Sequence, residues 1–188
     1  MKYDKSYLRK RFLLQRKNNF LKAENFNFNL IFKLIAKKFY KKKISIAGYY
    51  PSNYEVNILS FLKKASKKNF KISLPVVKSS TLMQFKPWIV YDPLYVSKFG
   101  ILEPKSTKKE IIPDLIIVPL VAFDDKLNRI GYGKGYYDRI LKKIKKIKNK
   151  TVFLGIAYSF QKCKNIPTNK HDYKLDYIFT EQGIINSS

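Results

Sequence analysis

The sequence predicts an α/β fold, a three-layer sandwich in which a largely parallel central sheet lies between helices, and three observations carry that reading. Segments of helical and of strand period alternate for most of the chain. Leu115 to Val118 is a continuous apolar run of the kind that suits a parallel strand covered on both faces. The two segments richest in chemistry, Tyr49 to Asn57 and Asn128 to Arg139, each follow a predicted strand, where ligands bind in such sheets. With 188 residues and 45% hydrophobic content the chain can bury one ordinary core, and a single domain over residues 1–188 is expected.

Each element has its own pattern. Asp4 to Asn18 places Tyr7, Leu8, Phe12 and Leu14 at near-helical spacing among basic residues, which predicts a helix. A second helix is expected from Phe26 to Tyr40, burying Phe28, Ile31, Phe32, Ile35 and Phe39, with Lys41 to Lys43 as solvated punctuation. Ile44 to Tyr50 is a β-branched and aromatic run closed by Pro51 and Ser52, the pattern of a buried strand entering a loop. Glu55 to Ala65 returns to helical period through Val56, Leu59 and Leu62. Phe70 to Val77 and Thr81 to Trp88 read as strands, the second with Leu82, Gln84 and Lys86 on one face. Tyr91 to Pro113 holds several prolines and no period, and reads as loop. After Leu115 to Val118, a helix from Tyr136 onward carries Tyr137, Ile140, Leu141, Ile144 and Ile147 on one face and most of its lysines on the other. Thr151 to Tyr158 and Leu175 to Thr180 are the last predicted strands.

Composition narrows the chemistry. Cys163 and His171 are single, so an intramolecular disulfide and a Cys/His zinc site are excluded, and a proline-containing loop separates the two. No apolar run is long enough to cross a bilayer, and Met1 to Arg16 lacks the apolar core of a signal peptide, so a cytoplasmic protein without membrane association is expected. The formal charge of +26 would suit nucleic acid, but lysine is spread along the chain with an excess of Ile, Asn, Phe and Tyr, a compositional drift. A positive field also attracts small polyanions. No obligate nucleic-acid partner is expected, and a basic nucleic-acid module remains the second functional class.

Asn128 to Arg139 reads N-R-I-G-Y-G-K-G-Y-Y-D-R, with Gly131, Gly133 and Gly135 interleaved with Arg129 and Lys134. Such glycine spacing needs positive φ or close approach of the backbone to a ligand. The segment is not a Walker A loop, because Asn128 stands where its first glycine belongs, nor a dinucleotide fingerprint, because Tyr136 stands at the third. It reads either as a phosphate site, with amides from Gly131 to Tyr136 and a helix N-terminus reinforced by Arg129 and Lys134, or as a turn between strand and helix. Asp138 either complements the helix dipole or ligates Mg²⁺ on nucleotide phosphates, and Asp172 and Asp176 are further oxygen donors. Glu55 either pairs with an amino-pyrimidine or amino-pterin edge or is an ordinary acid in a first helical turn. Tyr49, Tyr50, Tyr54, Tyr132, Tyr136 and Tyr137 add flat surfaces suited to a heteroaromatic ligand.

The run R-I-G-Y-G-K-G-Y-Y-D-R, preceded by I-V-P-L-V-A-F-D, resembles the signature of the 5-formyltetrahydrofolate cyclo-ligase family, and the resemblance extends over nearly the whole chain. It takes in K-S-Y-L-R, Y-P-S-N-Y-E-V, S-L-P-V-V, M-Q-F-K-P-W, F-G-I-L-E-P, L-G-I-A-Y-S-F-Q and H-D-Y-K-L-D in order. The resemblance implies a Mg²⁺- and ATP-dependent conversion of 5-formyltetrahydrofolate to 5,10-methenyltetrahydrofolate, with ADP and phosphate released, on a single α/β domain; a monomer is expected. It implies that Lys5 and Arg9 reach the nucleotide phosphates and that Arg129, Gly131, Gly133, Lys134, Gly135, Tyr136 and Tyr137 complete the ATP site, Lys134 and Arg129 being the candidate catalytic cations. Glu55 and Tyr50, with Tyr132, Tyr136 and Phe99, are implied at the folate, and Asp138 and Asp172 at the metal. Leu120 and Leu127 stand where the family usually has glycine, and Ile58 where threonine is common, so a changed local loop path is expected there.

Overall fold

In the computed structural model, residues 4–22, 25–40, 43–98, 100–105, 107 and 109–186 are described. In chain order the elements are α1 (Lys5–Asn19), α2 (Asn29–Phe39), β1 (Ser45–Ala47), α3 (Leu59–Lys67), β2 (Lys71–Val77), β3 (Met83–Pro87), β4 (Leu94–Val96), β5 (Leu102–Pro104), β6 (Leu115–Pro119), β7 (Ala122–Phe123), β8 (Arg129–Ile130), α4 (Tyr136–Ile147), β9 (Val152–Ile156), β10 (Tyr177–Thr180) and β11 (Gly183–Asn186). Among the described residues the main sheet has seven strands in the order β11-β10-β9-β6-β1-β2-β3. Its inner pairs β2–β1, β1–β6, β6–β9 and β9–β10 are parallel, and antiparallel strands close both edges.

Alternation along the strands makes two cores, as the period of two requires. Ile46, Ile72, Leu115, Ile117, Leu154 and Phe179 face α2 and α3, which contribute Ile31, Ile35, Phe61 and Leu62. Ala47, Phe85, Ile116, Val118, Phe153 and Ile178 face α4, which contributes Ile140, Leu141 and Ile144. Each fully buried aliphatic chain contributes roughly 1.5–3 kcal/mol. The mixed, mostly parallel α/β sheet with helices on both faces is the architecture the alternation predicted.

α1 starts at an N-cap, where the Asp4 carboxylate accepts the Tyr7 amide at 2.7 Å. Its buried stripe is Leu8, Phe12 and Arg16, set against Val121, Ala122, Ile130 and Ile166 across the β7–β8 hairpin. Tyr7 and Leu14, expected beside Leu8 and Phe12, are exposed, because the stripe follows the 8, 12, 16 row. Ile147 is likewise exposed at the end of α4.

Other boundaries differ from expectation for local reasons. α3 begins at Leu59 instead of Glu55, since Asn53 and Tyr54 take positive φ and close a turn before it. Asn57 Oδ1 then accepts the Leu59 amide at 3.0 Å. Ile58, at the N-cap, offers no side-chain cap and is fully buried against the core. The stretch expected to be loop contains the β4–β5 hairpin, whose Glu103 accepts the Val77 amide of β2 at 2.8 Å. Short β7 and β8, each of two residues, and the edge strand β11 were not anticipated. Lys41 and Lys42 lie outside the described residues.

Leu127 adopts φ 62°, a left-handed conformation that glycine takes without strain, while its side chain is fully buried. Asp124 fastens the turn by accepting the amides of Lys126 at 3.0 Å, Asn128 at 2.9 Å and Ile166 at 3.1 Å. Leu120 fits the complementary gap, because a Cβ on Gly155 would lie 2.8 Å from Leu120 Cδ2. Leu127→Gly would relieve about 1–2 kcal/mol of backbone strain but forfeit about 3–5 kcal/mol of leucine packing. A fall in Tm of about 4–8 °C is therefore expected by calorimetry; a rise would show that strain dominates.

Candidate functional site

The chain leaves β1 toward β2 and leaves β6 toward β9, so the sheet order diverges from the neighbouring pair β1 and β6. In open α/β sheets the loops past the carboxyl ends of such a pair run apart, and ligands bind between them. Residues 48–58 form one wall and residues 120–135 the other.

In the first wall, Tyr49 donates its hydroxyl to the Val56 carbonyl at 2.8 Å, pinning the loop on itself. The Glu55 amide donates to the Ser52 carbonyl at 2.9 Å, and the Ser52 amide returns to Glu55 Oε2 at 2.9 Å. The remaining oxygen, Oε1, accepts the hydroxyl of Tyr132 at 2.7 Å. That bond joins the two walls. Burial raises the Glu55 carboxyl above its ordinary range, while Tyr132, Ser52 and Arg16 pull it back. Burial and the Glu55 carboxylate likewise raise the Tyr132 phenol, so it stays a donor.

α1 supplies the cations of the second wall. Arg9 Nε donates to the Gly131 carbonyl at 2.8 Å, and Arg16 donates to the Tyr132 hydroxyl at 2.6 Å and to the Leu120 carbonyl at 3.2 Å. The Leu120 carbonyl also accepts from Gln161 Nε2 at 3.1 Å. Lys5 pairs with Asp172.

The glycines serve different purposes. Gly133 has φ 97° and lies against the Arg9 guanidinium, 3.2 Å from where a Cβ would be. Gly135 has φ 66°, and a Cβ there would meet Arg139 Nη1 at 2.8 Å. Gly131 has neither positive φ nor any atom within 4 Å of a Cβ position, so that point of the backbone is open to close approach. Arg139 ties the segment to the β2–β3 turn by donating to the carbonyls of Thr81 at 2.9 Å and Lys134 at 2.9 Å. Lys134 itself is exposed, and Tyr136 and Tyr137 open α4 directly behind Gly135.

Arg129 is turned beneath the segment, with only 4% of its side chain exposed. It donates to Asp138 Oδ1 at 2.8 Å and to the Tyr173 carbonyl at 3.1 Å, while the Tyr173 amide reaches the same Asp138 oxygen at 3.1 Å. Asp138 therefore holds a cation as well as sitting in the first turn of α4. Asp172 Oδ2 takes Lys5 and the Asn169 amide, and Asp176 Oδ2 takes the Phe153 amide at 2.8 Å. No group of three or more His, Cys, Asp or Glu residues stands ready for a metal among the described residues. Asp138 and Asp172 could each offer a carboxylate oxygen to a metal that also takes phosphate oxygens, for which one or two carboxylates suffice.

The structure thus brings together Glu55, Tyr132, Arg9 and Gly131, and pairs Lys5 with Asp172 and Arg129 with Asp138. Tyr50 is half-buried beside Glu55's loop. Phe99 lies outside the described residues. Arg16, Asp124, Arg139 and Gln161 carry interactions that sequence reasoning did not assign. For Arg16 a signal existed: it continues the 8, 12, 16 row of α1, but a charge on an apolar row reads as an interruption.

Comparison with known proteins shows the family. The model of the 5-formyltetrahydrofolate cyclo-ligase family matches residues 1–181. A 5-formyltetrahydrofolate cyclo-ligase from Mycoplasma genitalium is 33% identical over 180 residues, 93% of this chain and 96% of that protein. One from Haemophilus influenzae is 33% identical over 138 residues, 70% of this chain and 72% of its own length. The solved structure of Aquifex aeolicus 5,10-methenyltetrahydrofolate synthetase superposes with a TM-score of 0.77 at 32% identity, covering 97% of this chain and 92% of the other.

Proposed function

This chain belongs to the 5-formyltetrahydrofolate cyclo-ligase family, and we propose that it converts 5-formyltetrahydrofolate to 5,10-methenyltetrahydrofolate while ATP becomes ADP and phosphate. The observation that most supports this reading is the bond between Tyr132 and Glu55, since it sets the glycine segment beside the acid of the opposite wall. Glu55 takes the donor edge of the pterin, Tyr50 and Tyr132 flank it, and the phosphates of ATP run along Gly131 to Tyr137.

In the reaction the formyl oxygen attacks the γ-phosphorus, the bond to ADP breaks, and a phosphorylated imidate results. The neighbouring folate nitrogen then bonds to the formyl carbon, loses its proton, and the carbon–oxygen bond breaks as phosphate leaves. Positioning and charge neutralisation dominate such a step. Lys134 is the direct phosphate contact, with Lys5 and Arg9 along the same face of α1. Arg129 would have to leave Asp138 to touch phosphate, so in this reading it holds the first turn of α4. Were Lys5 to leave Asp172 for a phosphate oxygen, that carboxylate would be free to hold a cation. Mg²⁺, held by Asp172 or Asp138 together with the phosphates, would supply further charge neutralisation there.

No described helix is long and apolar enough to cross a membrane. That the enzyme works in the cytoplasm as a monomer is part of the proposal. The +26 charge raises the local concentration of both anionic substrates, so capture should weaken with added salt. The test is direct: purified protein with MgATP and 5-formyltetrahydrofolate should develop the absorbance of the methenyl product. Folded protein without turnover would overturn the assignment.

A further inference from the structure

Arg16 is 1% exposed, the largest fully buried charged side chain among the described residues, and none of their ion pairs includes it, although its charge draws the Glu55 carboxyl down. Its guanidinium instead donates to the Tyr132 hydroxyl and the Leu120 carbonyl, with its carbon 5.6 Å from the centre of the Tyr132 ring. Among the described residues its Nε is one of the buried side-chain polar atoms without a hydrogen-bond partner. Burying a cation whose direct hydrogen-bond partners are neutral is costly. A helix row that already presents Leu8 and Phe12 to the same hairpin would pack at least as well with an apolar residue at this position.

The hydrogen-bond chemistry shows what the charge accomplishes. A guanidinium can only donate, so the Tyr132 oxygen must accept from Arg16. The phenol has one proton, which is then left for Glu55 Oε1, 2.7 Å away. Ser52 fixes Oε2 at 2.9 Å, so both carboxylate oxygens acquire set partners and the plane of the group is held. Arg16 also rides on α1 together with Arg9, which grips the Gly131 carbonyl at 2.8 Å. Residues seven apart lie two turns apart on one face, so one helix holds adjacent residues of the glycine segment, Gly131 and Tyr132, by two separate arginines.

We propose that Arg16 is a positioning residue for folate: through the Tyr132 hydroxyl it orients the Glu55 carboxylate, while the backbone of the phosphate segment is held by Arg9 and Arg139. This rests on the reading of Glu55 as the folate acid. Lysine cannot reproduce the planar fork that spans Tyr132 and Leu120, so Arg16→Lys should raise KM for 5-formyltetrahydrofolate about ten-fold. KM for ATP should stay within about two-fold.

The decisive measurement is a double-mutant cycle on the folate KM. Tyr132→Phe removes the shared hydroxyl and should alone raise that KM about ten-fold; adding Arg16→Lys should then raise it no further. Multiplying effects, to about a hundred-fold, would overturn the proposal, as would an equal rise in the KM for ATP. If Arg16→Lys fails to fold, Tyr132→Phe decides by itself, since an unchanged folate KM would leave Arg16 no route to Glu55. Wild-type protein that never turns over would overturn the functional reading instead, and so separates the two.

Discussion

Glu55→Gln is expected to raise KM for 5-formyltetrahydrofolate about a hundred-fold while leaving the affinity for ATP unchanged. Glutamine keeps the size of the side chain and one oxygen that can accept from Tyr132, so the contact between the walls survives. What disappears is the negative charge and the second acceptor, and hence a pair of charge-assisted bonds to the pterin edge. Isothermal titration with ATP and steady-state kinetics with folate separate the two. Equal loss of both affinities would mean that Glu55 supports the fold of the loop and not the substrate.

A pH dependence accompanies this substitution. Burial raises the Glu55 carboxyl, so the ionised form that binds folate is lost on acidification, beginning above the ordinary carboxylate range. The folate KM should rise along that limb, and Glu55→Gln should abolish it. The sign for stability is opposite: a carboxyl raised by folding binds its proton more tightly in the folded state, so its contribution to stability grows as pH falls. Loss of folate affinity at low pH therefore does not arise from unfolding driven by this group.

Lys134→Ala is expected to lower kcat/KM for ATP about a hundred-fold and to leave folate binding intact. Lys134 is exposed between two glycines, both at positive φ, on a segment whose conformation is held by Arg9 and Arg139. The variant should fold with an unchanged Tm, because the cation contributes little to packing at an exposed site. Unimpaired nucleotide binding in a folded Lys134→Ala protein would move the phosphate site away from the glycine segment.

Legibility followed the length scale of each feature. α1, α2 and α4 showed in the sequence because eleven or more residues repeat their period. β7 and β8, with two residues each, have no period to read. The β4–β5 hairpin was hidden by prolines and exposed side chains, and the start of α3 by the positive-φ turn at Asn53 and Tyr54. Leu127 shows the limit of a residue rule, since a leucine holds the left-handed position that glycine would fill more easily.

The sequence by itself determined the layered α/β class, the glycine segment and the inventory of charges that marks the family. These rest on periods and spacings contained within single segments. Only the tertiary structure decided how the charges are spent. Tyr132 meets Glu55 across 77 residues of chain and Arg16 across 116, and Lys5 meets Asp172 across 167. Local periodicity carries no information about partners at such separations. The order of strands brings them together, because β1 and β6 are neighbours, and α1 packs against the β7–β8 hairpin that follows β6.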